Sequence, residues 1–327
     1  METKEKRNLK LFRKKNASME VMALRWLENV KWNVKESSYV KYRNLVQNHI
    51  LPELGGWPAV RLTTEVIEEF VQKKLQRGKL DGMGGLSEKS VRDILAVVKE
   101  ICLYAMGCDV EIPCRFERIK IRNGKLETEV LNLQKQKELE RFLLSDECPK
   151  KTGVLLSLYM GLRVGEVCAL KRQNILYTEK ILCVRATMQR IQDMAGEGKS
   201  KTKVVVTEPK SLSSVRDIPI PNFLMKRLET LRHLPEDAYL LTGSTEAFIE
   251  PRTMENILSR YLRECRIEGI NYHALRHTFA TRCVESGFDA KSLSEILGHS
   301  SVNITLNRYV HSSMEQKRKC MEQATPA

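Results

Sequence analysis

With 327 residues, 42% of them hydrophobic and 29% charged, the chain is long enough for two separately cored domains and too apolar to be disordered. A formal net charge of +14 fits a polyanionic partner, although solubility or an anionic membrane surface would give the same balance. No run approaches the roughly 18 apolar residues of a membrane span. No apolar segment of signal-peptide type follows the charged start. The nine cysteines are an odd count without any Cys-x-x-Cys pair, so zinc knuckles are not expected and reduced thiols in a cytosolic protein are.

In chain order, residues 1–16 form a basic arm carrying Lys4, Lys6, Arg7, Lys10, Arg13, Lys14 and Lys15. Residues 17–107 read as helical throughout. Met22, Trp26, Leu27 and Val30 give one amphipathic segment, and Ser37-Ser38 opens another that Pro52 and Gly55-Gly56 should stop. Thr63-Thr64 and Ser87 start two more, completing a small four-helix bundle. Lys35, Lys41, Arg43, Lys89 and Arg92 could grip phosphates on its surface, although each taken singly reads as a solvated charge. Residues 108–127, with Pro113, Arg115, Arg118, Lys120 and Asn123-Gly124, read as a basic connector.

From residue 128 to 313 helices surround short β-branched runs at 180–185, 203–207 and 216–220, which predict a small antiparallel sheet. Residues 189–203 read as a long loop inserted before the second run. Further helices are expected near 132–145, 149–160, 222–234, 252–267, 273–286, 291–297 and 302–309, and 314–327 is a polar tail. The class is therefore mainly α with a small antiparallel β-sheet, in two domains. Without alternating βαβ units, no dinucleotide-binding fold is expected.

Several residues in the second domain carry chemistry. Arg163 emerges from an apolar run at Gly-Leu-Arg, with Glu166 three residues on as an obvious ion-pair partner. Lys210 lies between two predicted strands, where a solvated tip would be the plainer reading. His273 and Arg276 stand one helical turn apart, so an imidazole and a guanidinium can share one anion. His273 and His277 could together bind zinc, but the Glu of a His-Glu-x-x-His motif is missing. Leu-Gly-His299 and Arg-Tyr309-Val-His follow, and Tyr309 alone would pass for a half-buried aromatic.

Together, the order Arg163, Lys210, His273-Ala-Leu-Arg276, His299 and Tyr309 resembles the tyrosine recombinase, or phage integrase, family. So do the flanking words Gly-Leu-Arg-Val-Gly-Glu, Leu-Arg-His-Thr-Phe-Ala-Thr, Leu-Gly-His-Ser-Ser and Arg-Tyr-Val-His. The resemblance covers about 128–312 and extends loosely to an N-terminal helical core-binding domain. Ala274 departs from the acidic residue often found beside the His, and Lys199, Lys201 and Lys203 crowd the region of Lys210.

The resemblance implies cleavage of one DNA strand by Tyr309 through a 3′-phosphotyrosyl link. Arg163, Arg276 and His299 would hold the phosphate, His273 would act as base and Lys210 as acid, with no cofactor, metal or ATP. It also implies double-stranded DNA as partner, a homotetramer on that DNA, an accessory directionality or DNA-bending protein, and a place in the bacterial cytoplasm with the nucleoid. In this family such tails often dock on a neighbouring subunit. Integration or excision of a mobile element is the expected role. The alternatives are a chromosome-dimer resolving recombinase, a type IB topoisomerase and a non-catalytic DNA-binding protein of the same fold.

Overall fold

The computed structural model describes residues 17–122, 129–193, 201–209 and 212–309, together with residues 318 and 321. The basic arm, Lys210 and the rest of the tail lie outside the described residues. The chain divides into two compact units, Met1–Leu126 and Glu127–Ala327.

The first unit contains α1 (Met19–Val30), α2 (Glu36–Leu45), α3 (Leu51–Leu54), α4 (Thr64–Arg77) and α5 (Glu88–Gly107). Ser18, Thr63 and Ser87 cap α1, α4 and α5 by accepting the backbone N–H three residues ahead, which satisfies one orphan donor in each first turn. Met22, Trp26 and Leu27 of α1 meet Ile67 and Phe70 of α4 and Val91, Ile94, Val98 and Ile101 of α5 in one core.

Two details differ from the sequence reading. Pro52 does not stop the second helix. A π turn at Val46–Ile50 resets the register, and Pro52 then sits in the first turn of α3, where its missing N–H has no role to lose. The stretch read as a connector also packs, because Val110 and Ile112 are buried in the first unit's core and Phe116, Ile119 and Ile121 lie against it. Its apolar residues recur between charges, and that interleaving hides them from a composition reading. Of the surface cations, Lys41 pairs with Asp93 at 2.8 Å, an exposed pair of small energetic weight.

The second unit opens with α6 (Leu133–Leu143), α7 (Pro149–Met160) and α8 (Val164–Ala169). The strands follow: β1 (Ile175–Leu176), β2 (Ile181–Val184), β3 (Thr187–Gln192), β4 (Thr202–Thr207) and β5 (Arg216–Pro219). Then come α9 (Asn222–Glu229), α10 (Pro251–Glu264), α11 (Tyr272–Glu285), α12 (Ala290–Leu297) and α13 (Val302–Tyr309). β1, β2 and β5 form an antiparallel sheet in that order, with Val184 opposite Arg216. β3 and β4 form a separate antiparallel hairpin. The expected long loop thus begins as a strand. In Thr-Met-Gln-Arg-Ile-Gln only Met188 and Ile191 are buried, too sparse an apolar alternation to announce it.

α11 packs on α7 inside the larger core, and it is buried on nearly every side. Thr278, fully buried on α11, accepts the backbone N–H of Leu131 at 2.9 Å and donates to Ala274 O at 2.8 Å. Arg282 donates to the carbonyl of the same Leu131 at 2.7 Å, so the segment entering the second unit is clamped to α11. Thr278→Val keeps the shape but orphans a buried N–H, so it should cost about 1–3 kcal/mol in urea unfolding. An unchanged midpoint would mean the clamp contributes nothing.

Candidate functional site

The last turn of α12 organises the site. Gly298 ends the helix in the left-handed region, with φ 64°, and turns the carbonyls of residues 296–298 away from the helix. Three arginines meet those three carbonyls. Arg216 Nε donates to Ile296 O at 2.6 Å, Arg276 donates to Leu297 O at 2.6 Å, and Arg163 donates to Gly298 O at 3.4 Å. The C-terminal end of a helix carries partial negative charge, so it suits this gathering of cations. A second helix end contributes too. Gly161, left-handed at φ 68°, closes α7, and its carbonyl accepts from Arg276 at 2.8 Å.

One carboxylate completes the frame. Glu166 is 2% exposed. Its Oε1 accepts from Arg163 at 2.7 Å and from Arg216 at 3.1 Å; its Oε2 accepts from the Arg163 backbone N–H and from Arg216, both at 2.9 Å. Burial pushes its pKa up, but the Arg216 hydrogen bonds and the charges of Arg216 and Arg163 outweigh that and hold it at about 2. The ion pair expected between Arg163 and Glu166 is therefore real, and it belongs to a larger cluster. Arg163, Arg216 and Arg276 set against Glu166 leave an excess of two positive charges (3 − 1). Arg276 is 2% exposed. Burial and the nearby Arg163 bring its pKa down to about 9, which leaves it charged at neutral pH.

Tyr309 and His299 join this cluster. Tyr309 ends α13, is 8% exposed and packs on Ala280, Cys283, Leu293 and Leu297. Its hydroxyl lies 2.5 Å from Nδ1 of His277. Burial raises its pKa against the opposing charges of Arg308, Arg276 and Arg163. The His299 ring lies parallel to the phenol, with centroids 6.4 Å apart, and its Nδ1 is 2.8 Å from the hydroxyl of buried Thr305. A hydroxyl donated to Nδ1 leaves the His299 proton on Nε2, free to face an anion. The edge of one ring of the His273–His277 pair meets the other's face at 4.4 Å and 80°.

Desolvation, then neighbouring positive charge, holds the three imidazoles neutral. His273 and His299 fall to about 4 and His277 to about 3. Beside Arg163 and His273 opens a cleft of about 650 Å³ that Arg190, Arg252 and Ser259 also line.

The structure therefore brings Arg163, Arg276, His299 and Tyr309 together, with His273 at the edge, while Lys210 lies outside the described residues. Sequence reasoning passed over three residues. Arg216 stood only at the start of the expected strand 216–220, His277 was weighed only as a zinc ligand, and Thr305 carried no signal. A charged residue at the start of a buried strand was the available clue to Arg216.

The profile of the phage integrase family matches residues 129–316, and that of the phage integrase N-terminal SAM-like domain matches residues 20–75. Among curated relatives, the tyrosine recombinase XerC-like protein of Caldanaerobacter subterraneus is 29% identical, over 91% of this chain and 80% of its own. The ICEBs1 integrase of Bacillus subtilis is 24% identical, over 88% of this chain and 77% of its own. The Tn1549 transposon integrase, solved in complex with a circular intermediate DNA, shares the fold with a TM-score of 0.75. It is 19% identical and covers 94% of this chain and 100% of that one.

Two predictions follow from the charge balance. Glu166→Ala leaves Arg163 and Arg216 without their counter-charge and should cost about 3–5 kcal/mol by denaturant unfolding. A loss below 1 kcal/mol, the scale of an exposed pair, would show that the cluster is screened like a surface one. For His277 the folded pKa of about 3 lies below the free value of 6.5, so the unfolded chain binds the proton first. Its contribution to stability is complete above pH 6.5 and is lost as pH falls towards 3. Melting temperature should therefore fall with acidification below pH 6.5, and less steeply in His277→Asn. Parallel slopes in the two proteins would contradict the depressed value.

Proposed function

The chain belongs to the phage integrase family of tyrosine recombinases, and on that premise we propose that it cuts and rejoins DNA at defined sites through Tyr309. The observation that carries this reading is the excess of positive charge at the end of α12, beside a phenol already in hydrogen-bond contact with an imidazole. Such an excess calls for an anion, and a phosphodiester supplies one with two non-bridging oxygens for Arg163 and Arg276. In the reaction Oη of Tyr309 attacks phosphorus, a 3′-phosphotyrosyl link forms and a 5′-hydroxyl leaves. The arginines and Nε2 of His299 stabilise the charge that builds on the phosphorane. Each step exchanges one phosphodiester for another of similar energy, so neither ATP nor a metal ion is required.

An imidazole of the site, His273 on the sequence reading, enters this scheme as base, and Lys210 as the acid that protonates the 5′-oxygen. What supports Lys210 is its place just before β5, whose first residue, Arg216, is locked into the Glu166 cluster. The DNA partner is supported by the Tn1549 integrase complex. A homotetramer on DNA, an accessory directionality protein, tail docking between subunits and a cytoplasmic location near the nucleoid complete the proposal. Among the described residues no helix is long and apolar enough to cross a membrane.

An integrating element is the favoured substrate, in line with the ICEBs1 integrase among the relatives. The XerC-like relative favours a second reading, resolution of chromosome dimers.

Nicked duplexes from the DNA flanking the gene, incubated with protein in EDTA without ATP, should give a covalent adduct on denaturing gels. Tyr309→Phe should abolish the adduct while binding the same duplex. An adduct that survives this change would remove Tyr309 as nucleophile, and cleavage only on a chromosomal dimer site would favour the second reading.

A further inference from the structure

We propose that His277 is the group that takes the proton of Tyr309 as the phenol becomes a nucleophile, a reading that rests on the recombinase function above. Nδ1 of His277 lies 2.5 Å from the Tyr309 hydroxyl, and the two rings, centroids 5.6 Å apart, are tilted so that the polar atoms meet. Both side chains are buried, at 5% and 8% exposure, so the contact is shielded from water. Nδ1 of His299 is engaged by Thr305, and His273 reaches the group through its edge-to-face contact with the His277 ring.

The proton balance closes without an outside reagent. As the Oη–P bond forms, the O–H electron pair stays on oxygen and the proton passes to Nδ1, giving an imidazolium. The P–O5′ bond breaks, and the 5′-oxygen collects its proton from the general acid. In rejoining, the 5′-hydroxyl returns its proton to the conjugate base of that general acid as it attacks phosphorus, the P–Oη bond breaks, and the imidazolium returns its proton to the departing phenolate.

The charged and titratable groups facing His277 are His273 and Arg276 on α11, Arg308 and Tyr309 on α13, and His299 at the end of α12. Burial and these neighbours disfavour the imidazolium in the DNA-free chain, and the pKa drops to about 3. A phosphate anion at the arginines opposes that field. Proton acceptance is therefore coupled to arrival of the substrate.

The test is single-turnover adduct formation on the nicked duplex, from pH 6 to about 10, where a free phenol titrates. His277→Asn places an amide oxygen near the position of Nδ1 and so keeps an acceptor for the phenol, but it cannot hold the proton. Its rate near pH 7 should fall by on the order of 10²- to 10⁴-fold and climb steadily with pH, while the wild-type rate levels off. DNA binding should be unchanged. His277→Gln provides a second variant and should show the same pH shape. Wild-type rates in both variants, or an equal slowing at every pH, would overturn the proposal, since the latter is what loss of mere positioning produces. The recombinase reading fails separately, if the wild-type protein gives no adduct that Tyr309→Phe removes.

Discussion

Everything in the catalytic unit is arranged around the last turn of α12. Three consecutive carbonyls, at Ile296, Leu297 and Gly298, each receive a different arginine from a different element: Arg216 from β5, Arg276 from α11 and Arg163 from the start of α8. Only a left-handed residue can end the helix this way and still turn the chain back towards His299. A side chain at 298 would lie 3.1 Å from both Arg216 and the carbonyl of Ser213. The Leu-Gly-His word of the sequence is thus one device. Leucine anchors the helix in the core, glycine makes the corner, and histidine is delivered beside the gathered cations.

That gathering is unfavourable in the absence of a ligand. The guanidiniums, those of Arg216 and Arg276 buried and that of Arg163 partly exposed, repel one another, and a single carboxylate cannot neutralise three of them. The helix-end carbonyls offset part of the cost, since they are already oriented and need no reorganisation when charge changes nearby. What remains uncompensated is held ready for an anion. The depressed pKa values of His273, His277 and His299 come first from burial, and the same excess of positive charge lowers them further.

The sequence made much of this legible, and for a physical reason. Side chains that gather at one point fall at fixed offsets from helix ends and corners, so Arg163, Arg276, His299 and Tyr309 could be picked out by their words. The supporting residues had no such signature. Arg216 looked like a strand residue, and its bond to Glu166 spans 50 positions that no local pattern encodes. α11 is buried on nearly all sides, so periodicity could not say which way His277 faces. β3 was missed because its polar residues carry little alternation, and residues 108–122 because their apolar side chains are interleaved with charges.

Tyr309 is tied to the site by side chains and not by the sheet or core frame alone. Thr305 on the same helix bonds His299, and the Tyr309 hydroxyl meets His277, so α13 is attached to the site at two points. A reversible strand exchange needs this. Cleavage and rejoining are the same step run in opposite directions, so whatever takes the phenol proton must keep it within reach until the phosphotyrosyl bond is broken again. A solvent-exposed base would lose it to bulk water. On the proposed mechanism a buried imidazole, beside arginines whose charge a bound phosphate offsets, would hold the proton for as long as the intermediate lasts and return it when the DNA is resealed.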